Sequence, residues 1–161
     1  MATPAWVPLA STTLSSSASS VTFGSIPSGY KDLTLVVQAN NTTTDEGTRV
    51  RVNSDSGSNY PYVYMRGNGS TATSGSGTLT YIAGSDNFSA VGSIGIYQFM
   101  DYSATDKHKT ILTRGGIASD DTKAYATRWV STSAITTIEI SPTGNQFASG
   151  STFSLWGRNA L

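Results

Sequence analysis

Short apolar segments that alternate residue by residue, each set between tracts of Ser, Thr and Gly, constrain this chain more than any other feature. A period of two puts every second side chain on one face of an extended strand, and no window carries the 3.6-residue period of an amphipathic helix. Residues 31–37 are the strongest internal case, with Leu33, Leu35 and Val37 on one face and Thr34 and Val36 on the other. Residues 48–53 alternate strictly, Val50 and Val52 inward and Arg49 and Arg51 outward. Further extended runs fall at 60–65, 79–83, 93–100, 108–117, 124–131 and 134–141, between an opening Val21-Thr22-Phe23 and a closing run at 152–157. About eight to ten short strands broken by turns predict an all-β fold, a single antiparallel β-sandwich of jelly-roll type.

Two stretches lack the alternation. Residues 1–20 read as an extended N-terminal arm ending in a serine tract from Ser15 to Ser20, so the predicted organisation is an arm over 1–20 and a sandwich domain over 21–161. Trp6, Val7 and Leu9 form the arm's apolar cluster, suited to anchoring it in a groove of its own domain or of a neighbour. Residues 67–77 read as a long Gly/Ser/Thr loop, the most mobile part of the domain.

The length of 161 residues suits one domain, able to bury roughly two thirds of its unfolded surface. Only 37% of residues are hydrophobic, which alone would suggest disorder. Eight Tyr, five Phe and three Trp, spread along the chain at positions that alternate with polar residues, argue against it. Ten basic side chains balance ten acidic ones, so no net field steers nucleic acid or an anionic membrane, and neither is expected as a partner. No run approaches the roughly 20 apolar residues of a spanning helix. The residues 5–10, Ala-Trp-Val-Pro-Leu-Ala, are too short and proline-broken for a signal-peptide core, which points to synthesis in a cytoplasm. Without cysteine there is no disulfide framework, and stability must come from packing.

Four places in the chain could carry chemistry. His108, the only histidine, lies between Lys107 and Lys109 with no G-x-S-x-G elbow anywhere, and reads as a solvated residue. Paired carboxylates of the glycosidase kind would have to come from Glu46 and Glu139, or from Asp86, Asp101 and Glu139, which nothing in the sequence ties together. The chain is therefore read as a non-enzyme with no cofactor. The run Asn53-Ser54-Asp55-Ser56-Gly57-Ser58-Asn59 spaces oxygen ligands as calcium loops do, but lacks the closing bidentate Glu; its plainer reading is a turn whose Asn and Asp side chains bond nearby backbone, and no metal is assigned. Tyr60, Tyr62 and Tyr64 share one face, as core packing or as a stripe of glycan-contact residues.

Several pieces carry a likeness in order and spacing. They are Thr12-Thr13-Leu14 with the serine tract through Val21-Thr22-Phe23-Gly24-Ser25-Ile26-Pro27, then Tyr30-Lys31-Asp32-Leu33, the loop from Asn53 to Tyr60, Lys109-Thr110-Ile111-Leu112, and the ending from Ala148 through Trp156-Gly157. Together they resemble a family of tailed-phage virion structural proteins, over almost the whole chain. The resemblance implies a β-sandwich building piece of the virion, used alone or as a tail-fibre module, with no catalytic residues. The leading expectation from it is a capsid decoration or cement protein on the virion surface, docking on the major capsid protein and self-associating as a homotrimer, with Trp6, Val7 and Leu9 in the contacts. The alternative is a tail-fibre or receptor-binding module that recognises host-surface glycans through Tyr60, Tyr62 and Tyr64. The chain departs from the family pattern in continuing past the aromatic–Gly pair Trp156-Gly157 to Arg158 and beyond.

Overall fold

The computed structural model describes residues 5–42, 47–84, 92–117 and 121–160. These form β1 (Trp6–Thr13), β2 (Val21–Phe23), β3 (Asp32–Ala39), β4 (Thr48–Val52), β5 (Tyr60–Gly67), β6 (Ala72–Leu79), β7 (Ile82–Ala83), β8 (Ser93–Met100), β9 (Lys109–Gly116), β10 (Thr122–Trp129), β11 (Ile138–Pro142) and β12 (Thr152–Arg158). They assemble into an eight-stranded sheet, β1-β12-β3-β8-β9-β10-β5-β6, and a four-stranded sheet, β2-β11-β4-β7. Every strand pairing is antiparallel. The fold is thus all-β and sandwich-like, with pairings nested from the outside in: β1 with β12, β2 with β11, β3 with β8, β4 with β7 and β5 with β6.

The alternation read from sequence sorts side chains between the two sheets. Leu33, Leu35 and Val37 of β3, Tyr97 and Phe99 of β8, Ile111 of β9 and Phe153 of β12 meet Val50 and Val52 of β4 and Ile138 and Ile140 of β11 in one core. Each such side chain removed from water contributes about 1.5–3 kcal/mol, which offsets the ordering entropy of a Ser- and Gly-rich chain. The small sheet meets the large one as far as β10, through β7, while β5 and β6 lie further out in strand order.

Residues 6–13 of the predicted arm form the strand β1. Trp6–Thr13 pairs along β12, with a register shift between Pro8 and Ala10 that marks a bulge. Pro8 has no N–H to donate, which an edge strand tolerates and a central one does not. The serine tract that follows is fastened by Leu14 N–H to the Ser151 carbonyl at 2.9 Å and by a two-way bridge between Ala18 and Phe147 at 3.0 and 2.9 Å. Residues 1–4 of the arm lie outside the described residues.

Residues 67–77, expected as one long loop, are mostly strand. Ala72–Leu79 is β6, paired along all of β5. Its glycines explain the missing alternation. Gly75 and Gly77 stand opposite Tyr64 and Tyr62, and a Cβ would fall 2.8 Å from the Tyr64 ring and 3.0 Å from the Tyr62 hydroxyl. The aromatic rings cover glycines of the outer strand and supply the packing that strand lacks.

The residues beyond the aromatic–Gly pair have a structural place. Tyr30 lays its ring over Gly157, where a Cβ would come within 2.6 Å of it. Arg158 closes β12 opposite Asp32 and binds its carboxylate through Nε at 2.8 Å and through a second guanidinium nitrogen. Asn159 N–H then reaches the Ala5 carbonyl at 3.0 Å.

Candidate functional site: the outer sheet face and a tyrosine cleft

The oxygen-rich run at 53–59 resolves as a turn tied to its own surroundings. Asn53 and Ser54 both take left-handed backbone, φ 50° and 56°, a conformation Asn tolerates better than most residues. The Asn53 side chain fixes the turn, accepting from the Thr136 and Thr137 amides at 2.9 and 3.1 Å and donating to the Ala134 carbonyl at 2.7 Å. The Asp55 carboxylate accepts from the Trp129 indole at 2.7 Å, the Asn59 amide at 3.0 Å and the Gly57 N–H at 2.9 Å. Burial alone would raise its pKa, but these hydrogen bonds hold it below the usual carboxylate value. Oxygens spaced for a cation are here engaged by donors of the fold. Among the described residues no cluster of three or more His, Cys, Asp or Glu side chains gathers to hold a metal.

The other titratable candidates sit apart. Asp101, just past β8, pairs with Lys31 and, at 3.3 Å, with Lys107, and the Lys31 contact is the main reason its pKa lies low. Glu139 lies on β11 opposite Arg51 and Thr22. Glu46 and Asp86 fall outside the described residues. His108 is exposed. Lys109 is wholly buried, donating to the Lys107 and Thr132 carbonyls at 2.9 and 3.3 Å, and burial pulls its pKa down.

The tyrosine stripe divides in two. Tyr60 is fully buried and donates its hydroxyl to the Asp55 carbonyl at 3.0 Å, so it cannot touch a glycan as expected. Burial pushes its phenol far above the ordinary tyrosine range. Tyr62 and Tyr64 remain half-buried and join Tyr125 of β10, with ring centroids 5.5 to 6.2 Å apart. The three rings line a cleft of about 270 Å³, with Tyr81, Arg66 and Lys123 also in its wall. The buried Asp121 carboxylate holds Arg66 Nε at 2.5 Å and Lys123 Nζ at 3.5 Å.

Trp6, Val7 and Leu9 also separate. Trp6 stands opposite Arg158 and is 44% exposed, whereas Val7 is half-buried opposite Gly157 and Leu9 packs against the core. Alternation on β1 turns Val7 and Leu9 toward the domain's own interior, which leaves Trp6 as the contact candidate with free surface.

Sequence reasoning missed the outer face of the large sheet. Val63 and Met65 are 59% and 67% exposed, and Ile94 and Leu112 are exposed as well. Register places them side by side: Leu112 faces Ala126, which faces Val63, while Ile96 leads through Arg114 and Ala124 to Met65. A depression of about 600 Å³ opens between Ile94, Ile96, Arg114 and the Gly67–Gly69 turn. The sequence held one signal of it: residues 94–100 are apolar in both phases, which a strand solvated on one face has no need to be.

No protein-family model matches this chain, and comparison with curated proteins gives no significant match.

Proposed function

We propose that this chain is a structural protein of a tailed-phage virion that docks as a decoration or cement protein on the major capsid protein. The observation that carries the reading is the outer face of the eight-stranded sheet, apolar and exposed across β8, β9, β10 and β5. A patch of this kind on a chain with little charge suits permanent assembly better than free diffusion. The resemblance of the ordered motifs to tailed-phage virion proteins supplies the context. The nested strand pairing supports winding of the jelly-roll type within the sandwich. Homotrimer formation through Trp6 at the exposed edge of β1 belongs to the same proposal, as does a location on the capsid surface.

Copy number tests it. Quantitative mass spectrometry of purified particles is expected to find several hundred copies per virion, as a shell-covering protein requires. A few copies would place the chain in the tail instead.

The tyrosine cleft favours a second reading, a tail-fibre or receptor-binding module for host-surface glycans. Its wall offers the aromatic body and polar tip that sugars stack and bond against. Under that reading purified host polysaccharide binds saturably and Tyr64→Ala weakens binding about tenfold. Polysaccharide that leaves the wild-type protein unbound sinks it.

A further inference from the structure

We infer that the outer face of the large sheet docks on a protein surface that presents carboxylates ringed by apolar side chains, and that Arg114 is the anchor. This rests on the assembly reading above and names the chemistry of the partner. Arg114 is exposed in the middle of the apolar field, flanked across the sheet by Ile96 and Ala124 and preceded on the same face of β9 by Leu112. No carboxylate pairs with it among the described residues. Arg128, exposed on the same face next to Ala126 along β10, is likewise without an ion pair there.

Asp121 lines the same depression as Arg114, but it and Asp32 are already paired. Asp32 is held at the rim by Arg158, and Asp121 is buried against Arg66 and Lys123. Among the described residues, this face therefore turns guanidinium groups without an ion pair toward solvent and offers them no free carboxylate. A guanidinium set in an apolar surround binds a carboxylate through two parallel hydrogen bonds once water is excluded, the usual form of an arginine hot spot.

A second copy of this chain is a poor occupant. An isologous pairing of two such faces would bury guanidinium groups from both copies with no free carboxylate among the described residues of either to meet them. Self-association is left to other surfaces, the β1 edge among them. An acidic, partly apolar partner meets both requirements of the face.

The test supplies variants to particles made without the native gene product and counts copies per particle. Wild-type protein gives the reference, and Arg114→Glu and Met65→Glu are expected to lower incorporation at least tenfold, with Arg114→Lys in between. Thr22→Ala, exposed on the small sheet, is expected to incorporate like wild type. Arg114 and Met65 are exposed, and unchanged melting temperatures establish that the variants fold. Wild-type incorporation at several hundred copies with no loss in Arg114→Glu and Met65→Glu would overturn the face assignment and leave the decoration reading standing. A wild-type count of only a few copies would overturn the decoration reading, and the docking assignment with it. Light scattering of the purified chain supplies a further check: an oligomer that Arg114→Glu dissociates would make a second copy the occupant and overturn the inference.

Discussion

Asp55→Ala is expected to lower the unfolding free energy by roughly 2 to 3 kcal/mol at neutral pH, as charge-assisted hydrogen bonds in a partly buried site warrant. The carboxylate joins the turn after β4 to Trp129 at the end of β10, and through it the small sheet to the large one. Its loss leaves the indole N–H of a nearly buried tryptophan, 2% exposed, without its acceptor. The pH dependence has a definite sign. A carboxyl whose folded pKa is lowered stabilises the fold above its unfolded value near 4, and that contribution disappears as pH falls through the folded value. Urea titrations at pH 7 and pH 3 should therefore show a large gap between wild type and Asp55→Ala at the first and a small one at the second. A gap that persists at pH 3 would mean that the charge is not what holds the turn. Calcium added to the wild-type protein is expected to leave its midpoint unchanged, because the carboxylate already has three donors.

What was legible in the chain follows the hydrophobic alternation closely. β2 and β8 fall where the sequence places them, and β3, β4, β5, β9, β10 and β12 differ by a few residues at their ends. All of these but β5, which buries only Tyr60, bury one face, so the core imprints a period of two on them. β1 and β6 bury little. The outward positions of β1 are Trp6, Pro8, Ser11 and Thr13, and β6 offers Ala, Ser and Thr on one face and mainly Thr and Gly on the other. Their strand character comes from long-range pairing with β12 and β5, which no local pattern records. The sites divide on the same line. The tyrosine period was visible, but its depth was not. Tyr60 and Tyr62 share a face, yet one lies beneath the small sheet's turns and the other at the open cleft, because the smaller sheet has fewer strands. The outer face was hidden for the opposite reason: its residues occupy the phase that alternation assigns to solvent.

Phe153→Ala is expected to cost about 3–5 kcal/mol, the usual range for truncating a buried aromatic, and to exceed any surface substitution described above. Phe153 is wholly buried on β12 and meets Phe147 edge-to-face at a centroid distance of 5.0 Å. Phe147 in turn bridges both Ala18, in the serine tract, and Asn41, just past β3. The pair therefore sits where the first strand's connection, the last strand and the sheet core converge. A cavity there removes packing beneath β12, on which the edge strand β1 depends for its pairing. With total stability of small domains near 5–15 kcal/mol, the loss is a large share of the whole. Phe153→Leu keeps most of the volume and is expected to cost under about 1.5 kcal/mol. Hydrogen exchange followed by mass spectrometry adds the test that separates a seated strand from a loose arm. Amides of residues 6–13 should exchange slowly in wild type and markedly faster in Phe153→Ala than in Phe153→Leu. Rapid exchange of that segment already in the wild-type protein would show that β1 is detached in solution, and Phe153→Ala would then act on the core alone.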